Sequence, residues 1–175
     1  MKKLLCWLAI AFFSNIALAV EPELEQTHEL VGAPLLRYAQ NIAEADGHKD
    51  PKLLVGLLKV ESNAGDTDVG FRVVKQTGSI FYGVAQLTIG AAKTVMTKFP
   101  ELWTGFNTKT EEELKARLIL DDKFSVRVAS KYLVLVGARV NPEKAVAAYQ
   151  VGIGGVELID YKQLPYLHKV KSKSR

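Results

Sequence analysis

The chain has 175 residues, 48% hydrophobic and 24% charged, with a formal net charge of +4 and a single cysteine. This length suits one domain and not two, and one cysteine excludes an internal disulfide framework. The positive balance is mild, with no basic stripe interleaved with aromatics, which argues against nucleic-acid binding.

Residues 1–19 read as an export signal that is cleaved. Lys2 and Lys3 form a positive start, Leu4 to Ile16 is almost wholly apolar, and Ala17-Leu18-Ala19 supplies a small-x-small cleavage pattern. The apolar run is too short and wrongly flanked for a stable membrane span, although a retained anchor helix is the alternative. Cleavage leaves Val20 first and removes Cys6, so the exported chain has no thiol chemistry. Loss of Lys2 and Lys3 lowers the charge from +4 to about +2. A remaining chain of about 155 residues buries roughly two-thirds of its unfolded surface, enough to fold by packing alone.

Beyond an N-terminal extension over 20–34, the periodicity is helical. Leu35, Leu36, Ala39, Ile42 and Ala43 repeat at three and four, and Gly47 stops that helix. Asp50-Pro51 starts the next, with Asp at the cap and Pro at the first helical position. Leu53, Leu54, Leu57, Leu58 and Val60 make it apolar on more than one side, as a central buried helix requires. It ends near Glu61-Ser62, and residues 63–82 read as a long loop with room for a short hairpin around Phe71 to Val74. A helix over Thr88 to Lys98 is closed by Pro100, and Thr110 with Glu113 forms a capping box for another. Asp121 or Asp122 opens a longer helix with Phe124, Val128, Leu135 and Val136 on its apolar face. Asn141-Pro142 opens the last, which ends before Gly152, Gly154 and Gly155. The domain spans 35–165, and residues 166–175, rich in Lys, read as a solvated basic tail. The fold class is mainly α, in a single helical domain.

Glu61 stands at the C-terminal end of an apolar helix, where the helix dipole disfavours negative charge. Partial burial pushes its carboxyl pKa the same way, towards a proton donor at neutral pH. Position alone favours an ordinary solvated residue after a core helix, as most helix-end glutamates are. His28, His48 and His168 sit in polar stretches without ligand spacing, so none reads as metal-binding. Asp66 and Asp68 lack the remaining pattern of a calcium loop and read as solvated turn residues.

Three segments follow one another in order: Val60-Glu61-Ser62, then Gly83-Val84-Ala85-Gln86-Leu87-Thr88, then Ala147-Ala148-Tyr149-Gln150-Val151-Gly152 with further glycines. Behind an export signal, this order resembles the lysozyme-like lytic transglycosylases of the soluble type, over roughly residues 35–160. That family has Glu-Ser at a helix end, a Gly-Leu-Met-Gln-like turn and a later Ala-Tyr-Asn-Ala-Gly segment. The resemblance implies a lysozyme-like fold and a peptidoglycan substrate, cleaved without metal or organic cofactor in the periplasm of a Gram-negative bacterium. Glu61 falls on the family's acid/base and Ser62 on the residue that orients the acid or its substrate. Gly83 and Gln86 fall on the sugar-binding turn, and Tyr149 on the tyrosine facing the carboxyl. Gln150 stands where the family has asparagine. Two departures are visible: Val84-Ala85 replaces Leu-Met, which implies a reshaped groove wall, and Gln150-Val151 replaces Asn-Ala. Tyr149 is also readable as a core aromatic with its hydroxyl satisfied by backbone. The glycines also suit turns and helix ends alone.

The resemblance implies that Glu61 cuts the MurNAc-GlcNAc β-1,4 bond and closes a 1,6-anhydro ring. Hydrolysis assisted by Asp66 or Asp68 is one alternative, and a non-catalytic glycan-binding protein on the same fold is another. Partners beyond the glycan strands follow only by analogy, as a secretion, conjugation or pilus apparatus.

Overall fold

A computed structural model describes residues 30–67 and 70–175. The expected export signal, the extension up to Glu29 including His28, and Asp68 lie outside the described residues. The described residues are mainly helical, with one small antiparallel sheet. Among the described residues no helix is long and apolar enough to cross a membrane.

Helix α1 (Ala33–Ala45) buries Leu35, Ala39 and Ala43 and ends before Gly47, which takes the left-handed φ of 78° that the chain reversal needs. Helix α2 (Lys52–Glu61) follows. Its start differs from the expected Asp50 cap. Pro51 is itself helical, at φ −60° and ψ −27°, and no side chain caps the helix. Leu54, Leu57 and Leu58 on α2 are wholly buried, so this helix is central as its apolar faces require.

The segment read as a loop holds the hairpin expected at Phe71 to Val74, and a third short strand follows it. Strand β1 (Phe71–Val74) pairs antiparallel with β2 (Ser79–Tyr82), and β2 pairs with β3 (Leu87–Thr88). Four helices then begin on the side chains expected to start them. Thr88 caps α3 (Ile89–Lys98), Thr110 caps α4 (Glu111–Leu120), Asp121 caps α5 (Asp122–Leu135) and Asn141 caps α6 (Pro142–Val151). The capping box at α4 closes differently from the expected form. Thr110 accepts the Glu113 N–H, but the Glu113 carboxylate reaches further upstream, to the N–H groups of Asn107 at 2.7 Å and Thr108 at 2.8 Å. Those donors hold its pKa down at about 2. A single turn, α7 (Ile153–Val156), follows Gly152.

The basic tail is corrected to a helix. Residues Pro165–Lys173 form α8, which lies along α2 and buries Leu167 and Val170 completely enough to join the main core. Leu164, Leu167 and Val170 recur every third residue, so one stripe is apolar while the cations face water. The two helices approach closely at Gly56, where a Cβ would run into the Val170 carbonyl oxygen and Ser174 Oγ. Lys59 Nζ donates to the Lys173 carbonyl at 2.8 Å, satisfying one of the free acceptors at the end of α8.

The layers follow from these contacts. Helix α2 packs on α1, α6 and α8, while α5 packs on α1, α3, α4 and α6. His48, expected in a polar stretch, is instead buried and lies with its Nε2 3.1 Å from the Ser130 carbonyl oxygen. Ser130 Oγ donates to Asp46 at 2.6 Å, and Lys131 donates to the other Asp46 oxygen at 2.6 Å. This network fastens the end of α1 to α5.

Candidate active site

Glu61 is the last residue of α2, and its side chain keeps only 11% of its exposure. The Tyr166 hydroxyl, from α8, donates to Glu61 Oε1 at 2.5 Å. On the other oxygen, Arg72 Nη2 from β1 approaches Oε2 at 3.4 Å, a long contact from a guanidinium that is 43% exposed. Burial dominates the carboxyl and pushes its pKa up. Tyr166, Arg72 and Lys169 pull it down without cancelling that effect. Desolvation and the charge of Glu61 raise the hydroxyl pKa of both Tyr166 and Tyr149 well above its ordinary value. Tyr166 therefore acts as a fixed neutral donor.

A cleft of about 450 Å³ opens over Glu61. One wall is the sheet, with Arg72 and Val74 of β1 and, directly across from Arg72, Phe81 of β2. The opposite wall is α8, through Pro165, Tyr166 and Lys169. Gln86, Tyr149 and Gln150 lie between them. A second hollow of about 240 Å³ shares Phe81, Gln86, Tyr149 and Gln150 with the first and continues past Thr88, Val151 and Gly152. The two form one groove with Glu61 in its larger part. Among the described residues lining it, Glu61 is the only carboxylate.

The residues singled out from sequence divide into two groups. Gln86, Tyr149 and Gln150 line the groove with Glu61. Gln86 is buried at a left-handed φ of 50°, a conformation that is costly without glycine, and both its backbone N–H and its Nε2 donate to the Gly83 carbonyl at 2.9 Å. Tyr149 takes the position of a groove wall and also the core-type bond. Its hydroxyl donates to the Ala85 carbonyl at 2.7 Å, and its ring meets Tyr132 edge-on at 5.6 Å. The hydroxyl that holds Glu61 is Tyr166, not Tyr149.

The second group belongs to the frame. Ser62 is fully buried, donates to the Leu58 carbonyl at 3.3 Å and accepts the Gly65 N–H at 3.0 Å. It closes α2 and lies outside the lining. Gly83 has φ 68°, and a Cβ there would collide with the Leu118 backbone, so glycine is needed for close packing of the sheet on α4. Val84 and Ala85 are wholly buried and lie in the core behind the groove, outside its lining. Asp66 is exposed, accepts from Asn63 Nδ2 at 3.2 Å and is not part of the lining.

Arg72, Phe81, Tyr166 and Lys169 were not singled out from sequence. The spacing of Leu164, Leu167 and Val170 was the available signal for α8 and hence for Tyr166. Among the described residues no group of three or more His, Cys, Asp or Glu side chains is placed to hold a metal ion. Comparison with protein-family models, with curated proteins and with solved structures gave no match to this chain.

Proposed function

We propose that this protein is an exported lytic transglycosylase of peptidoglycan, built on a lysozyme-like fold. The observation that carries the reading is a lone buried carboxyl in an open groove. Glu61 is desolvated and fixed by Tyr166, and no second carboxylate lines the groove among the described residues. A pair of carboxylates is the usual equipment of a glycosidase that delivers water or forms a glycosyl ester. A single one suits chemistry in which the substrate supplies its own nucleophile.

In this reading Glu61, protonated, gives its proton to the glycosidic oxygen between MurNAc and GlcNAc as that bond breaks. The neighbouring acetamido group shares the positive charge that develops at the anomeric carbon. Glu61, now a carboxylate, takes the proton of the muramic acid 6-hydroxyl, whose oxygen bonds to the anomeric carbon and closes the 1,6-anhydro ring. The carboxyl returns to its starting state and no water is consumed. The order of the Glu-Ser, Gly-x-x-Gln and Ala-Tyr segments, and the export signal read in residues 1–19, support the family, the periplasmic site and the substrate.

The test is the product. Purified sacculi digested by the wild type should release anhydro-ended muropeptides by mass spectrometry, and Glu61→Gln should release none. Products one water heavier would replace transglycosylation with hydrolysis. Equal clearing of a wall suspension by wild type and Glu61→Gln would end the catalytic reading.

A further inference from the structure

Two cations line the cleft beside Glu61 without a role in the bond-breaking steps. Arg72 projects from β1 with its guanidinium 5.5 Å from the centre of the Phe81 ring, which lays it along the sheet wall. Among the described residues its acidic neighbour is Glu61 Oε2 at 3.4 Å, one long contact for a group with five donor hydrogens. Lys169 lies three residues after Tyr166 on α8, on the same face, and reaches the cleft from the opposite wall. Lys169 makes no ion pair among the described residues, and its side chain is exposed to the cleft.

For a proton donor these cations are misplaced, because both favour the ionised form of Glu61. With Glu61 protonated, the described lining holds two positive charges and no negative one. A concave, partly desolvated site of that kind draws an anion. A bound carboxylate would neutralise one of the two positive charges and offset the pull of these cations on the Glu61 proton.

Building on the proposed function, we infer that Arg72 and Lys169 form a carboxylate subsite, so that the groove prefers glycans bearing a carboxylate next to the scissile bond over neutral glycans of the same length. Two sources carry that chemistry: the lactyl carboxylate of a peptide-free muramic acid, or a carboxylate of the attached peptide. Arg72 supplies the planar fork that matches a carboxylate, and Lys169 supplies a second charge from the facing wall.

Binding reads this subsite without turnover. The Glu61→Gln protein, isosteric with the protonated acid, is titrated by NMR with three GlcNAc-MurNAc oligosaccharides of one length. One bears free lactyl carboxylates, one their methyl esters, and one intact peptides. The expected preference for a carboxylate form over the ester is about tenfold, the size of one charge-assisted hydrogen bond. That preference should fall towards one when Arg72→Gln or Lys169→Gln is added. Both positions are solvent-facing, and unchanged backbone spectra identify folded variants. Preference for the free lactyl form assigns the sugar as source, and preference for the peptide form alone assigns the peptide. Equal affinity for all three, or a preference that survives both substitutions together, overturns the inference. The outcome is separable from the cleavage chemistry, since a carboxylate preference without anhydro products removes only the transglycosylase reading.

Discussion

Replacing Gly56 by Ala tests how the C-terminal helix is held over the site. In most helix interiors this change stabilises by about 1 kcal/mol, because alanine loses less backbone entropy. At Gly56 the added Cβ falls inside contact distance of the Val170 carbonyl oxygen, a backbone atom that cannot rotate away. Helices α2 and α8 must then part by about 1 Å to regain ordinary packing. Overpacking of this kind costs about 1–3 kcal/mol, so the net effect is about 0–2 kcal/mol of destabilisation and the usual sign is lost. The larger effect falls on the site. Tyr166 lies four residues before Val170 on the same helix, and its bond to Glu61 spans 2.5 Å. A displacement of about 1 Å stretches that bond to its limit, and its loss costs about tenfold in rate, the size of one hydrogen bond to a charged group. Urea unfolding gives the stability and release of glycan fragments gives the rate. The rate should fall far more than the small unfolded fraction explains. A variant that is about 1 kcal/mol more stable and cuts at the wild-type rate would refute the close crossing as a constraint.

Two further outcomes follow from Glu61. Tyr166→Phe removes a donor that favours the ionised carboxylate, so Glu61 becomes harder to ionise and the alkaline limb of the kcat/KM profile moves to higher pH. The rate at the optimum should drop about tenfold, as for loss of one hydrogen bond to a charged group, and a limb that moves to lower pH contradicts the assignment. Glu61→Gln should be the more stable protein at neutral and alkaline pH. The folded carboxyl is raised above its ordinary 4.5, so the stability it contributes is present below that value and is lost as pH rises through the folded pKa. The Tm gap between variant and wild type should therefore open on raising the pH and then level off. A wild type that stays ahead at pH 8 would mean that Tyr166 and Arg72 outweigh burial.

Helix starts were legible because their signals are local. Thr88, Thr110, Asp121 and Asn141 each accept an N–H three residues on, a bond that needs no knowledge of the rest of the chain. Gln86, Tyr149 and Gln150 were likewise placed with Glu61 by the order of their motifs. The remainder depended on distance in sequence. Tyr166 meets Glu61 across 105 positions, and the cations around it disguised the apolar stripe of its helix. Arg72 required the register of β1 against β2, which sets which residues of a short strand face the cleft. Ser62, Gly83 and the Val84-Ala85 pair stand inside motifs, yet their burial assigns them to the frame that aims Glu61 and Gln86.

The bond between Tyr166 and Glu61 has a consequence for when the site exists at all. The acid sits on a helix formed early in the chain, but the surface that dries and orients it arrives with α8. Before α8 docks, Glu61 lacks the Tyr166 hydroxyl that fixes its Oε1. On the proposed function, its strength as a proton donor thus belongs to the completed tertiary structure. An incompletely folded chain, or one nicked before Pro165, carries the same glutamate without the hydroxyl that orients it.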